Sequence, residues 1–262
     1  MKNVKRFMSV PVWSVLFLMG VLYYTTVFVF IEGWIGLRSS TGTWHAGFFT
    51  VMASLCLVSF LTAVGKDPCY VFSSYLPDLE DKGSDKSFQN FEPTKCEKCC
   101  ILRPPRAHHC RVCRKCVFKM DHHCLWINNC VGFGNYKAFF LLIFYSSFAT
   151  FQTVVLLIIH SVRKQWNLDE LSRNIFYIIL AMLLIILEIS FVTLLSWHVY
   201  LVIHNMTTIE YREAKRMTWL AKKSGQIYRH PYNIGIKNNL ISVFGQNPIL
   251  WFWPATLSSE IR

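Results

Sequence analysis

Histidines and cysteines are concentrated in one short stretch of this sequence. Between Cys96 and Cys130 there are eight cysteines and four histidines. Two cysteine pairs, Cys96/Cys99 and Cys110/Cys113, have the C-x-x-C spacing with which a zinc knuckle binds one ion through two thiolates. Each pair needs two further ligands, and the natural suppliers are His109, Cys116, His123 and Cys130. The spacing therefore predicts two structural zinc sites of the Cys3His type.

Four residues of this cluster remain when eight are assigned to zinc: Cys100, His108, His122 and Cys124. If the segment is extended, alternate side chains share a face, so His122 and Cys124 project together while His123 points towards zinc. An imidazole beside a thiol can take its proton and maintain a nucleophilic thiolate at neutral pH. Asp121 can hydrogen-bond the far imidazole nitrogen and complete a triad. The alternative is a spare thiol at position 124 and a surface charge at position 121.

Long apolar runs lie on both sides of the cluster. They are, roughly, Pro11–Ile31, Ala46–Val64, Ala138–His160 and Ile175–Ile203. A helix that spans a bilayer needs about 20 mostly apolar residues, and each run meets or nearly meets that length. Buried helices of a soluble protein would be shorter and would show regular polar faces. The composition, with 53% hydrophobic side chains, also exceeds that of an ordinary soluble domain.

The distribution of basic residues predicts which side of the membrane carries the cluster. Short loops rich in Lys and Arg remain in the cytosol. Twelve such residues lie between the second and third runs and eight follow the fourth, whereas Arg38 alone follows the first. Nine of the ten cysteines lie in or beside the central segment, as expected for thiols kept reduced in the cytosol. We therefore expect both termini and the cysteine-rich domain to be cytosolic.

These patterns predict an α-helical integral membrane protein with four transmembrane helices and a small cytosolic zinc-binding domain between helices 2 and 3. The predicted segments are a cytosolic N-terminus at 1–10, transmembrane helices 1 and 2 at 11–64, a cytosolic linker at 65–92, the cysteine-rich zinc domain at 93–137, transmembrane helices 3 and 4 at 138–203, and a cytosolic C-terminal region at 204–262. No internal repeat is recognised. Glu188, inside the fourth run, indicates either an ion path or a hydrogen bond to another span.

The stretch from Cys96 to Phe140 resembles the cysteine-rich domain of the DHHC-type protein S-acyltransferases, or palmitoyltransferases. Four flanking spans are the usual architecture of that family. After the last span, Thr207, Thr208 and Glu210 resemble its Thr-Thr-x-Glu motif, and the segment NNLISVFG, which contains Asn239, resembles its C-terminal motif. The resemblance thus extends over nearly the whole chain.

The resemblance implies a role for each residue of the cluster. Cys124 would be the acylated nucleophile, His122 its base and Asp121 the residue that orients the base. One zinc ion would be bound by Cys96, Cys99, His109 and Cys116, and the other by Cys110, Cys113, His123 and Cys130. The implied cofactors are these two structural Zn²⁺ ions, and the co-substrate is an acyl-CoA such as palmitoyl-CoA.

The implied reaction is a two-step, ping-pong transfer of a long-chain fatty acyl group from acyl-CoA to cysteine thiols. The expected partners are membrane-associated proteins with cytosolic cysteines and the lipid bilayer, with no nucleic acid. An endomembrane, Golgi or endoplasmic reticulum, is the expected location, with the plasma membrane or another compartment as the alternative. Candidate cations for the CoA phosphates are Arg103, Arg106, Arg111, Arg114, Lys115 and Lys119.

Three positions depart from the family pattern. Leu125 replaces the usual proline, Cys69 replaces a glycine after the second span, and Cys100 is an extra thiol beside a predicted ligand. Two other classes of protein remain as alternatives: a membrane-anchored zinc module that binds nucleic acid or a protein, and a membrane ubiquitin ligase. A platform for single-stranded nucleic acid would need exposed aromatic residues among its cations, and this stretch has only Phe118 and Trp126.

Overall fold

The computed structural model describes residues 2–72, 94–163 and 171–254, so most of the predicted linker lies outside the described residues. Within these ranges four helices are long and apolar enough to cross a membrane: Val10–Trp34, Ser40–Gly65, Tyr136–Val162 and Ile175–Ile203. Each predicted apolar run lies inside one of them. The prediction of four transmembrane helices, with the cysteine-rich domain between the second and the third, is confirmed.

The helices are numbered here along the chain. They are α1 (Lys2–Phe7), α2 (Val10–Tyr24), which continues through a π-helical stretch (Thr25–Ile31) into α3 (Glu32–Trp34), α4 (Ser40–Gly65), α5 (Tyr136–Arg163), α6 (Leu171–Ile203), α7 (Thr208–Lys223) and α8 (Ile236–Phe244), followed by a 3-10 turn at Pro248–Leu250. The spanning helices extend past the apolar runs at several ends. Lipid offers the backbone no hydrogen-bond partners, so a helix satisfies its own groups across the whole hydrocarbon layer.

The membrane-spanning part contains one carboxyl group with polar partners on a neighbouring helix. Glu188 on α6 accepts hydrogen bonds from the hydroxyls of Ser147, at 3.5 Å, and Thr150, both on α5. An ionisable side chain is expensive in the hydrocarbon layer unless it is paired. These bonds favour a role in helix packing over an ion path for Glu188.

The cysteine-rich domain is built from three short antiparallel hairpins. They pair β1 (Lys95–Cys96) with β2 (Ile101–Leu102), β3 (His108–Cys110) with β4 (Lys115–Val117), and β5 (His122–Cys124) with β6 (Asn129–Val131). In the second and third hairpins a histidine lies directly opposite a cysteine, His109 opposite Cys116 and His123 opposite Cys130. Each of these pairs therefore presents two ligand side chains on the same face of its hairpin.

The three hairpins form an internal repeat, so the prediction that the chain has no repeat was wrong for this segment. Cys96, Cys110 and Cys124 each end the first strand of a hairpin and are 14 residues apart. Four residues after each of them the backbone turns left-handed, with positive φ at Cys100, Arg114 and Asn128. The three turns thus have the same plan, and the second and third hairpins also share the residues HHC and, six positions after that cysteine, CV.

Two buried asparagines attach the third hairpin to the end of α4. The Asn129 side-chain amide donates to the carbonyls of Ala63, at 3.1 Å, and Lys66, at 2.9 Å. The Asn135 amide donates to Ala63 at 3.1 Å and to Cys130 at 2.9 Å. The last carbonyls of a helix have no partner within the helix, so these amides satisfy groups that would otherwise be buried unpaired. The position of β5 and β6 is thereby fixed relative to the end of α4.

Cys69, which replaces a glycine of the family pattern, adopts a left-handed backbone conformation with φ of 74°. This conformation costs an L-residue roughly 1–2 kcal/mol, whereas glycine adopts it freely. We expect Cys69→Gly to raise the free energy of unfolding by about 0.5–1 kcal/mol once the greater chain entropy of glycine is subtracted. Thermal unfolding of the purified protein measures the change. Cys69→Ala keeps the Cβ atom and should bring no gain; a lower midpoint for the glycine variant would contradict the assignment of strain.

Candidate active site

The first cluster of metal-binding side chains joins the first and second hairpins. His109 Nδ1 lies 3.6 Å from Cys96 Sγ, 3.2 Å from Cys99 Sγ and 3.9 Å from Cys116 Sγ. Two ligands on one tetrahedral zinc ion, with Zn–S near 2.3 Å and Zn–N near 2.0 Å, are about 3.5 Å apart. The four side chains have the chemistry and the spacing of a Cys3His zinc site.

The second cluster repeats this arrangement between the second and third hairpins. His123 Nδ1 lies 3.7 Å from Cys110 Sγ, 3.4 Å from Cys113 Sγ and 3.5 Å from Cys130 Sγ. In each cluster all four ligand atoms lie within 4.8 Å of one another. Each C-x-x-C turn is therefore completed by a His and a Cys from the following hairpin, and the structure brings all eight predicted ligands together in two groups of four.

Cys124 occupies the equivalent position in the third hairpin, but its turn lacks a second thiol. Ile127 stands where the second hairpin has Cys113. The backbone N–H of Cys113 donates to Cys110 Sγ at 3.3 Å, and backbone N–H groups of Trp126 and Ile127 donate to Cys124 in the same way. The third turn is thus a zinc knuckle with one cysteine missing, which leaves Cys124 unligated in surroundings that suit a thiolate.

If the third turn has knuckle geometry, restoring its missing cysteine should raise the zinc content of the protein. Ile127→Cys would place a second thiol as Cys113 is placed, and with the His122 imidazole beside Cys124 the variant would offer the three protein ligands of an open zinc site. We therefore expect this variant to bind about one further equivalent of zinc at micromolar concentration. Mass-spectrometric metal analysis after equilibration with zinc checks the stoichiometry. Ile127→Ala, which removes the same side chain without adding a ligand, is the matched control. Equal zinc content in the two variants would show that Cys124 is not in knuckle geometry.

Asp121, His122 and Cys124 form a contiguous polar group. His122 Nδ1 donates to Asp121 Oδ2 at 2.7 Å, and the imidazole is also hydrogen-bonded to the Cys124 thiol. Asp121 is buried, with 1% of its surface exposed, and Cys124 is 8% exposed. The ring of Phe139 packs edge-on against His122, with ring centroids 5.2 Å apart. The predicted nucleophile, base and orienting carboxylate are therefore in contact in that order.

The surroundings of His122 and Cys124 favour the charged form of both. Burial by itself lowers the pKa of His122, but the hydrogen bonds to Asp121 and Cys124 outweigh it and raise this pKa to about 9. Burial raises the pKa of Cys124, yet the hydrogen bonds from His122 and from the backbone of Ile127 and Trp126 bring it below its usual value. The couple therefore resembles the thiolate–imidazolium pairs of known cysteine nucleophiles.

Thr208, at the first residue of α7, binds the carboxylate of Asp121. Its backbone N–H donates to Oδ1 at 2.7 Å and its hydroxyl donates to Oδ2 at 3.0 Å. The partly positive N-terminus of a helix stabilises a carboxylate placed there. The sequence marks Thr208 only through its resemblance to a family motif, because no local pattern places it beside Asp121.

A buried ion pair fixes the start of α7. The Arg106 guanidinium donates to both oxygens of Glu210, at 2.6 and 2.8 Å, and to the Asn205 carbonyl at 2.8 Å. Glu210 also accepts from the backbone N–H of Thr207, whose hydroxyl accepts from the Glu210 N–H, which completes a capping box. Arg106, a predicted candidate for the CoA phosphates, is therefore engaged within the protein. Lys119, another of these candidates, makes one hydrogen bond among the described residues, to Asn205 at 2.9 Å.

Comparison with protein families matches residues 89–215 to the DHHC palmitoyltransferase family. Among known proteins, the chain is 50% identical over 240 residues to probable protein S-acyltransferase 15 of Arabidopsis thaliana, an alignment that covers 90% of this chain and 93% of that protein. It is 43% identical over 269 residues to probable protein S-acyltransferase 16 of the same plant, covering 97% and 92%.

Similarity extends beyond plants. The chain is 35% identical over 167 residues to palmitoyltransferase ZDHHC15A of Danio rerio, covering 63% of this chain and 48% of that protein. The matched family segment contains both zinc-binding clusters, the Asp121–His122–Cys124 group and the Thr207–Glu210 capping box. This chain therefore belongs to the DHHC palmitoyltransferase family and is a multi-pass membrane protein with two Cys3His zinc-binding clusters.

Proposed function

We propose that this protein transfers a long-chain fatty acyl group from acyl-CoA to cysteine thiols of membrane-associated proteins, with Cys124 as the acylated nucleophile. One observation carries the assignment: Cys124 is left out of both metal-binding clusters and is hydrogen-bonded to a His122–Asp121 pair. Membership of the family supports the reaction class. The roles given to Asp121, His122 and Cys124 are those that the family resemblance implies, and the contacts among the three residues support them.

In the first step the Cys124 thiolate attacks the carbonyl carbon of the acyl-CoA thioester. A bond forms between Sγ and the carbonyl carbon, and the bond from that carbon to the CoA sulfur breaks as the intermediate collapses. The departing CoA thiolate takes a proton from the His122 imidazolium. Asp121 stabilises the imidazolium before this transfer and holds the ring in the tautomer that faces the sulfur. Thioester replaces thioester, so the step is nearly balanced in free energy and depends on positioning and thiol activation.

In the second step an acceptor cysteine removes the acyl group from Cys124. Neutral His122 takes the proton of the acceptor thiol, the new thiolate attacks the acyl carbonyl, and the Cys124 thiolate departs. The same imidazole thus serves as acid in one half-reaction and as base in the other. The backbone N–H groups of Trp126 and Ile127, which donate to the Cys124 sulfur, favour its departure as a thiolate.

The eight cluster residues are proposed to bind two zinc ions with a structural role. Bound zinc supplies folding energy to a small domain of this kind. The hairpin segment has few buried apolar side chains of its own, with one small group formed by Val117, Met120 and the cysteines Cys110 and Cys130. Cross-linking of successive hairpins by their side chains is what aligns β5, and with it Cys124, in this small domain.

The proposal includes an orientation. The excess of Lys and Arg in the central segment and in the C-terminal region supports a cytosolic location for the cysteine-rich domain and both termini. Acyl-CoA and the acceptor cysteines would then reach Cys124 from the cytosol. Protease protection of tagged termini in sealed vesicles tests this orientation. Golgi or endoplasmic reticulum stays a prediction for the compartment.

A two-stage labelling experiment tests the proposed function. Purified full-length protein is incubated with radiolabelled palmitoyl-CoA, and we expect about one covalent label per chain, released by neutral hydroxylamine as a thioester is. After removal of free acyl-CoA, a lipid-anchored peptide with one cysteine should take up the label as the protein loses it. A protein that acquires no hydroxylamine-labile label, or whose label cannot be passed to the peptide, does not have this function.

A further inference from the structure

A cavity that Asp121, His122 and Cys124 do not line lies among the ends of three spanning helices. Its volume is about 370 Å³. The lining includes Lys66 after α4, Tyr136 at the start of α5, and Leu201 and Val202 in the last turn of α6, with Ile241 of α8 closing another side. Because these are the helix ends next to the cysteine-rich domain, the cavity lies at the level where a bilayer has its headgroups.

The charge of this cavity has one sign. Three lysines line it, Lys66, Lys119 and Lys137, and no acidic side chain does so among the described residues. Lys137 is buried and donates to the carbonyls of Phe244, at 3.2 Å, and Leu250, at 2.8 Å. Like charges around one small cavity repel one another, and an anion between the Lys66 and Lys119 ammonium groups would relieve that repulsion.

Two of these lysines have capacity for a further partner. Within residues 2–72, 94–163 and 171–254, the Lys66 ammonium makes no hydrogen bond or ion pair, and that of Lys119 bonds only to Asn205. Burial, together with the nearby Arg106 guanidinium, lowers the pKa of Lys119 to about 7, although the Glu210 carboxylate acts in the opposite direction. Burial also lowers the pKa of Lys66. Both ammonium groups are less well solvated than they would be in water, which is the condition under which an anion gains most from binding.

The remainder of the lining is largely apolar. Leu201, Val202 and Met206 come from the end of the fourth span, and Ile241 and Val243 come from α8. A free phosphate would gain nothing from this surface. A molecule with a phosphate group and adjoining hydrocarbon would use both parts of the cavity, and an anionic glycerophospholipid of the surrounding leaflet is such a molecule.

We propose that this cavity is a binding site for the phosphate headgroup of an anionic phospholipid, with Lys66 and Lys119 as its principal ligands. The site goes beyond the proposed acyl transfer: Cys124, His122 and Asp121 do not line the cavity. Its occupant would be a resident of the membrane and not a substrate. The lipid would contact three parts of the chain: the end of α4, the segment after β4 and the end of α6. It would thereby stabilise the packing of the cysteine-rich domain against these helix ends.

Native mass spectrometry of the detergent-solubilised full chain tests the site. The probes are dioleoylphosphatidylserine and dioleoylphosphatidylcholine, and we expect wild-type protein to retain the serine lipid about tenfold more tightly. The double variant Lys66→Gln/Lys119→Gln should lose this preference, and Lys66→Gln alone should lose about half of it on a logarithmic scale. Lys237→Gln is the matched control, because Lys237 is exposed on α8, a helix that contributes other residues to the lining, and does not itself line the cavity.

The controls separate the site from neighbouring explanations. Two zinc ions per chain in every variant exclude misfolding, and lipid retention does not depend on whether the protein transfers acyl groups. A preference that persists undiminished in the double variant overturns the proposal. Displacement of the serine lipid by inorganic phosphate or by CoA at equal concentration also overturns it, since the cavity would then be a site for soluble anions.

Discussion

Replacement of Cys124 by serine is expected to reduce the rate of acyl-enzyme formation by a factor of about a thousand or more. A serine hydroxyl is far less acidic than a thiol, so neither the His122 imidazole nor the backbone N–H groups of Trp126 and Ile127 would generate an alkoxide at neutral pH. Because Cys124 belongs to neither metal cluster, the variant should keep two zinc ions per chain and an unchanged melting temperature. Radiolabel from palmitoyl-CoA, with metal analysis of the same sample, measures both properties.

Cys100→Ser provides the matched control for this prediction. Cys100 is an exposed thiol at the left-handed position of the first hairpin, and its only described hydrogen bond goes to the Glu97 carbonyl. We expect its replacement to leave acyl-enzyme formation unchanged. Undiminished, hydroxylamine-labile label on the Cys124→Ser protein would move the nucleophile elsewhere. Loss of zinc from that protein would instead make Cys124 a metal ligand and remove the basis of the proposed mechanism.

Replacement of Asp121 by asparagine is expected to lower the rate of acyl-enzyme formation by about two to four orders of magnitude. The asparagine side chain has nearly the same shape and can still accept from the Thr208 N–H. It carries no charge to stabilise the His122 imidazolium, however, and its amide nitrogen can take the place of the acceptor oxygen opposite Nδ1. The thiolate–imidazolium pair is therefore weakened, although every neighbouring group stays in place. Single-turnover release of CoA from palmitoyl-CoA gives the rate.

Two variants distinguish the effect of the Asp121 charge from the effect of its position: Thr208→Val and Asp121→Asn. Thr208→Val removes one donor to Oδ2 but keeps the backbone N–H bond to Oδ1, so we expect a decrease of about tenfold or less. Asp121→Asn should be slower than Thr208→Val, while both retain two zinc ions. An Asp121→Asn protein that reacts within threefold of wild type would show that the carboxylate does not assist His122.

Local sequence predicted the composition of the site because zinc coordination and thiol activation depend on residue types at short spacing. The two cysteines of each C-x-x-C pair are three positions apart, and His122 and Cys124 are two positions apart. The grouping of the eight ligands was different: it followed only from family resemblance until the side-chain distances between hairpins joined Cys96 and Cys99 to His109. The repeat was missed since Ile127 and Lys95 stand where the other hairpins carry ligands.

The sequence by itself thus determined the four apolar spans, the eight metal-binding residues and the presence of one histidine-paired cysteine beyond them. Only the tertiary structure decided what supports that cysteine: Thr208 is 87 residues from Asp121, and Glu210 is 104 residues from Arg106. It also decided that Lys66, Lys119 and Lys137 face one cavity. The reason is physical. Hydropathy and ligand spacing are properties of neighbouring residues, whereas buried ion pairs and helix-end contacts exist only after distant segments pack together.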